Sequence, residues 1–405
     1  MVNYVFLSVY FYSVPNLRFR EFSLPWHQTP IKDLLSFQNG INGVPEQYGK
    51  GIKYISVGDI LNNDYITYDK IVGSIDISQE TLKNYSVTYG DILFQRSSEI
   101  KDDIGRTNVY LDKDNTATFG GFVIRGKKIG DYNPSFFSFL LKSPSSRKSI
   151  VRLGAGAQHY NIGQENIKTL SFYFPNEIEQ VKIANLLSKI DKRIQTQIKI
   201  IELKQSLIKD IEDRILWKTT NAQTKPIREF LTEINDKSII QNQYPLLSST
   251  KKGLFLQIDY FNKEAASSNN IGYKIVHKGD IIISPQNLWM GNITYNDKFD
   301  NGLVSPSYRI YKVKEEYNAF YISRIMMSYR ALSLYKNISE QGASIVRRNL
   351  NVDAFNELCF PIPNIKKQDE VGLFLSKLHQ ELKCETWILM QLKNQKNYLL
   401  NKMFI

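Results

Sequence analysis

A chain of 405 residues exceeds what one ordinary hydrophobic core organises, and at roughly 100–200 residues per domain it divides into two or three. Hydrophobic residues at 42% and charged residues at 23% exclude a disordered chain, and 24 Tyr and 22 Phe supply strands and cores. The net charge of +12 favours polyanionic partners, but it is spread as +3, +2, +4 and +3 over residues 1–176, 177–218, 219–362 and 363–405, which excludes a basic tail.

In chain order, residues 1–14 are apolar and aromatic, lack a basic leader and fall short of the ~20 apolar residues that span a bilayer. A strand is expected there, or an extension from an upstream start codon. A mixed region of short β-like runs follows, such as Gly90-Asp91-Ile92-Leu93-Phe94, with a turn at Asp112-Lys113-Asp114-Asn115. A helical patch spans Phe136 to Leu153, and a proline exit at Phe174-Pro175 leads into a long helix. The pattern then begins again, with Gly279-Asp280-Ile281-Ile282-Ile283, a turn at Asp300-Asn301-Gly302, a helical patch from Phe320 to Tyr335, prolines 361 and 363, and a second long helix. Cys359 and Cys384 have no partner at ligand spacing, so neither a disulfide scaffold nor a zinc site is expected and a reducing cytoplasm is the default.

The recurrence is an internal repeat. Asn161-Ile162 returns as Asn349-Leu350, Pro175-Asn176 with Gln180 as Pro363-Asn364 with Gln368, and Leu187-Ser188-Lys189 as Leu375-Ser376-Lys377, each 188 residues on. Gly90-Asp91-Ile92 returns after 189 residues, and Pro30-Ile31-Lys32-Asp33 returns as Pro226-Ile227-Arg228-Glu229 after 196. Small insertions account for the drift, so both halves share one frame.

Each long helix carries a seam with alternating steps of four and three. The first comprises Ile183, Leu187, Ile190, Ile194, Ile201, Ile208, Ile211 and Ile215, interrupted by Gln197 and Lys204. The second comprises Val371, Leu375, Leu378, Leu382, Leu389, Leu392, Leu399 and Met403, interrupted by Glu385 and Lys396. Sustained heptads predict coiled-coil pairing, and the two seams bury each other or, alternatively, each packs on its own domain. The polar interruptions set register or reach solvent on long stems.

Taken with that repeat, Leu17-Arg18-Phe19-Arg20-Glu21-Phe22 with Trp26, Tyr54-Ile55-Ser56-Val57-Gly58-Asp59-Ile60, the Gly-Asp-Ile strands and the helix starts Glu179 to Ala184 and Lys367 to Val371 resemble a type I restriction–modification specificity subunit. Asn287-Leu288-Trp289-Met290-Gly291 and Gly302-Leu303-Val304-Ser305-Pro306 add to the likeness, which covers essentially the whole chain. Two departures are residues 1–14 and the missing Leu-Arg-Phe motif in the second half.

The resemblance implies an α+β fold: two tandem mixed α/β target-recognition domains, 15–176 and 219–362, separated and joined by two long helices, 177–218 and 363–405, forming an antiparallel coiled coil. It implies a chain that catalyses nothing, reads an asymmetric bipartite double-stranded DNA target and holds its unread spacer with the helices. Two methyltransferase (modification) subunits dock on those helices and two restriction (motor-nuclease) subunits join. S-adenosylmethionine, ATP and Mg are expected on these partners and no cofactor or metal on this chain, which is expected to be cytoplasmic and not on a membrane.

Base edges are read by Arg, Lys, amide and hydroxyl groups, while phosphates accept more generic contacts. In the first domain Gln95-Arg96-Ser97-Ser98, leading to Lys101 and Arg106, is a DNA-facing loop or a solvated strand end. Gln158-His159-Tyr160, before Asn161, is a second candidate, and its repeat partner carries Arg347 and Arg348. Asn161 and Asn349 either contact DNA or hold a turn. In the second domain the candidates are Gln286, Asn287 and Trp289, the last of which is alternatively a core residue. Ser307-Tyr308-Arg309 and Lys142, Arg147, Lys148 and Arg152 are candidates for phosphate.

Enzymatic readings have weaker support. Asn133-Pro134-Ser135-Phe136 resembles an adenine-methyltransferase motif without its second proline, and no glycine-rich cofactor loop lies upstream. Asp91 with Glu99-Ile100-Lys101 resembles a Mg²⁺ nuclease triplet, and no Walker motif is present. The alternatives to the specificity subunit are therefore a stand-alone or decoy DNA-binding protein on the same frame, or a methyltransferase-like enzyme.

Overall fold

The computed structural model describes residues 14–251, 253–261, 269–341 and 348–405. The chain forms two compact units, one of residues up to Ile198 with Ile388–Ile405, the other Lys199–Trp387. Each unit therefore contains part of both long helices, Glu177–Trp217 and Ile365–Lys402.

The first unit is built on a four-stranded antiparallel sheet in the order Leu35–Asn39, Val123–Lys128, Ile92–Gln95, Thr107–Val109. Strand periodicity explains why Ile92-Leu93-Phe94 is apolar throughout, since alternate side chains point to opposite faces. Ile92 and Phe94 enter a core with Trp26, Phe136, Phe137 and Leu187, whereas Leu93 enters another with Ile55, Tyr110 and Phe119. Strands His27–Pro30 and Ser171–Phe174 pair beside it, just ahead of the long helix. Phe136 to Leu153 resolves into two helices, Pro134–Lys142 and Pro144–Val151, divided at Ser143-Pro144 because proline restricts the residue before it to extended backbone.

The second unit repeats this plan. Its sheet runs Leu231–Ile234, Arg309–Val313, Ile281–Ile283, Ile293–Tyr295, again antiparallel. Ile281 and Ile283 join Phe230, Tyr321, Phe355 and Leu375, while Ile282 joins Leu247, Val276 and Ile310 on the other face. Gln223–Pro226 pairs with Cys359–Ile362, and helices Ala319–Met326 and Tyr329–Asn337 complete the correspondence. One expected turn is corrected: Asn301 and Gly302 belong to strand Asn301–Val304, paired with Lys274–His277. A Cβ on Gly302 would lie 2.2 Å from Leu247 Cδ1, so this glycine serves close packing.

The repeat extends to individual atoms. Gly90 and Gly279 turn at φ +94° and +95°, where glycine carries no steric cost. The buried carboxylates of Asp91 and Asp280 then accept from the backbone N–H of Thr88 (3.0 Å) and His277 (2.7 Å). Asn176 and Asn364 cap the long helices, their Oδ1 atoms accepting from Glu179 N and Lys367 N at 2.9 Å each. Gln180 and Gln368, both buried, donate from Nε2 to the carbonyls of Pro175 and Pro363. Their Oε1 atoms accept from the backbone N–H of Asn133 (2.9 Å) and Asn318 (3.0 Å), the residues that start Pro134–Lys142 and Ala319–Met326.

Within each unit the long helices pair, and Ile183, Leu187, Val371 and Leu375 also enter that unit's own core, so both expected ways of burying the seams occur. In the first unit Ile183, Leu187, Ile190, Ile194 and Met403 are buried and Leu389, Leu392 and Leu399 half-buried; Lys396 reaches Asp191 at 2.5 Å. In the second, Ile201, Ile208, Val371 and Leu375 are buried, with Ile211, Ile215, Leu378 and Leu382 half-buried. Lys204 meets Glu385 at 2.8 Å and Glu212 meets His379 at 2.8 Å, so one helix ascends in number as the other descends. The pairing is antiparallel.

Candidate nucleic-acid interface

In the first unit the backbone joins two segments that are more than 60 residues apart in sequence. Ser97–Ser98 pairs with Tyr160–Asn161, and Ile162 N donates to Arg96 O at 3.0 Å. Arg96, Gln158 and His159 are exposed there, with Ser97, Ser98 and Tyr160 half-buried. Asn161 donates to His159 O at 3.4 Å and steadies the turn. Lys101 is exposed on the following turn, as is Arg106, whose guanidinium pairs with Asp103 at 2.5 Å. This surface offers a guanidinium, an ammonium, an imidazole, amides and hydroxyls, the groups that meet base edges and phosphates.

Gln95 departs from expectation. It is 5% exposed and donates inward to Ser97 O at 2.9 Å, because it still occupies the sheet register opposite Val123. Two phosphate candidates also turn inward. Lys142 donates to Asp64 O at 2.7 Å, and burial, then the neighbouring Lys396 charge, pulls its ammonium down to about 8. Arg147 donates to the carbonyls of Gly105 and Ile104, each at 2.7 Å, and shapes the 101–105 turn. Lys148 and Arg152 remain exposed.

In the second unit Gln286 is exposed and Asn287 half-buried on the turn after the central strand. Trp289 is half-buried while its neighbour Leu288 enters the core, and the Arg348 guanidinium lies 5.8 Å from the Trp289 ring centroid. Arg348 N donates to Gln286 O at 3.1 Å, joining the two candidate segments as in the first unit. Arg347 lies outside the described residues. Tyr308 donates to Ser249 O at 3.2 Å and Arg309 is held by Glu233 and the Tyr311 hydroxyl, so of that triplet only Ser307 is exposed.

Phe122 escaped the sequence reading. It is 68% exposed beside Arg96, whose backbone N–H donates to Phe122 O at 2.9 Å. The signal was Gly120-Gly121: Cβ atoms there would lie 2.4 Å from Tyr54 Oη and 2.1 Å from Asn42 Oδ1.

One residue of each enzyme-like motif has a structural role. Asn133 caps its helix, Oδ1 accepting from Phe136 N at 2.9 Å, as Asn318 does for Tyr321 at 2.8 Å. Asp91 is occupied by the turn and by Lys128 N at 2.9 Å, and burial raises its pKa. Among the described residues no group of three metal-ligating side chains could hold an ion, and no helix is long and apolar enough to cross a membrane.

Fold and surface define a class: a duplicated mixed α/β chain whose units each combine an antiparallel sheet, a polar loop cluster and a segment of paired long helices. Residues 25–205 match the type I restriction modification DNA specificity domain. A Methanocaldococcus jannaschii relative, named for the type I restriction enzyme MjaX specificity subunit, is 25% identical over 244 residues, or 56% of each chain. The chain thus spans about half the length of that curated relative. The crystal structure of the type I restriction–modification system S subunit from M. genitalium has 16% identity and a TM-score of 0.56, covering 97% of this chain and 99% of that one. A chain from a study of complex assembly and conformational transition of the type I R-M system has 10% identity and a TM-score of 0.57, covering 94% and 98%. In sequence over its first half, and in fold over nearly its whole length, the chain is similar to type I restriction–modification specificity subunits.

Proposed function

We propose that this chain is the DNA specificity subunit of a type I restriction–modification complex, that each unit reads one half of an asymmetric bipartite duplex, and that the chain performs no catalysis. The observation that carries this reading is one frame built twice, down to the Gln180 and Gln368 hydrogen bonds, bearing loop clusters of different chemistry. A shared frame presents the same approach to the phosphate backbone, and unlike side chains meet unlike base edges. Arg96, Gln158 and His159 face one half-site; Gln286, Asn287, Trp289 and Arg348 face the other.

Two modification subunits dock on the long helices and two restriction subunits join them, these partners carrying S-adenosylmethionine, ATP and Mg²⁺. The repeated helix pattern supports two copies of each, since a repeated frame offers equivalent surfaces twice. The helices act as a ruler: at 1.5 Å per residue the 41 residues of Glu177–Trp217 extend ~60 Å, ample to fix half-sites about one DNA turn, ~34–36 Å, apart.

The test exchanges residues 219–362 for the matching part of another such chain and selects bound duplexes from a randomised pool. One half-site is expected to change and the other to persist. Changes in both, or no enrichment by the parent chain, overturn the reading.

A further inference from the structure

We infer that Phe122 is a specificity-determining residue of the first unit, its ring contacting the C5-methyl group of a thymine while Arg96 engages the adjoining base pair. This inference rests on the proposed function.

A single exposed apolar side chain is ordinary on a protein surface and needs no ligand. Phe122 differs in how it is held and in where it lies. Its carbonyl accepts from Arg96 N at 2.9 Å, and the Arg96 guanidinium donates to Gly121 O at 3.3 Å. Gly120 N donates to Ile55 O and Val123 N to Gly120 O, at 3.0 and 2.8 Å. The glycine doublet sits against Tyr54 and Asn42 too closely for any Cβ. A large ring is thus carried on a backbone fixed at both sides, against the same Arg96 that is joined to the Tyr160–Asn161 strand. Such a mount fixes the backbone that carries the ring before any partner arrives, which lowers part of the ordering cost of contact.

The second unit supplies an independent argument. Phe94 lies opposite Ile124, and its repeat equivalent Ile283 lies opposite Arg309. Two residues before each partner stand Phe122 and Ser307, both exposed. Arg96 likewise corresponds to Pro285, which has no N–H to form the tie. The frames agree and these tips differ, the pattern expected of a position that distinguishes two half-sites. In the major groove an apolar ring finds a matching partner in the thymine methyl, and a guanidinium in guanine O6 and N7.

The experiment uses the full chain with its modification subunits and selects duplexes from a randomised pool, comparing wild type, F122S and F122L. F122S is expected to erase the preference for T at one position of one half-site and leave the other half-site intact; F122L is expected to retain part of it. Replacing that thymine by uracil is expected to weaken wild-type binding about fourfold, the ratio that burying one methyl-sized group gives, with no effect on F122S. Identical enrichment by wild type and F122S, uniform weakening on all sequences, or equal uracil effects in both proteins overturns the inference while the wild type still selects a bipartite site. Failure of the wild type to select any sequence overturns the underlying function instead.

Discussion

Lys142 illustrates how burial reassigns a residue that reads as surface chemistry. Its ammonium is shielded between Asp64 O and Asn108, and burial followed by the Lys396 charge lowers its proton affinity to about 8, from 10.5. Between those values the unfolded chain holds a proton that the folded chain has released, so this group makes stability rise with pH there. Measured by urea midpoint, wild type is expected to gain on K142M between pH 8 and 10.5; parallel profiles would contradict the assignment. Phe122 stands at the opposite extreme, apolar yet exposed, and was missed because residue type alone places a phenylalanine in the core.

At the scale of the elements, the polar interruptions of the seams are explained by their partners. Lys204 lies between Glu385 (2.8 Å) and Glu381 (3.4 Å) of the opposing helix. K204E brings a third carboxylate to that place and is expected to lower the thermal midpoint at low salt, with K204E/E385K recovering part of the loss. If the double variant melts no higher than K204E, the antiparallel register is wrong. The seams were legible because a heptad states which face is buried, and the Gly-Asp-Ile runs because strands covered on both faces are apolar throughout. The candidate site was legible only in outline. Gln95 and Arg309 have the chemistry of DNA contacts, but strand register turns one inward and Glu233 holds the other. Sequence order also hid that Arg96–Ser98 and Tyr160–Ile162 are neighbours, since a two-residue strand pair leaves no periodicity to detect.

At the scale of the whole molecule, the proposed ruler makes a geometric prediction. Insertion of seven residues, two helical turns, between Arg193 and Lys209, with a matching insertion in the second long helix, keeps the heptad phase on both sides. Methylation-site mapping is expected to show both half-sites unchanged and a longer unread spacer. An unaltered spacer would remove the ruling role from the helices. Binding should also fall steeply with salt, as displaced counterions require.

The hydrogen bonds of Gln180 and Gln368 have a consequence for exchanging units. Each glutamine grips a peptide amide, at Asn133 or Asn318, and every polypeptide except at proline offers that group regardless of side chain. A transplanted unit that starts a helix at the same place meets the same grip, whatever side chains its loops carry. If each unit reads its own half-site as proposed, exchanging one unit leaves this joint intact, because the grip needs only a peptide N–H at the start of a helix.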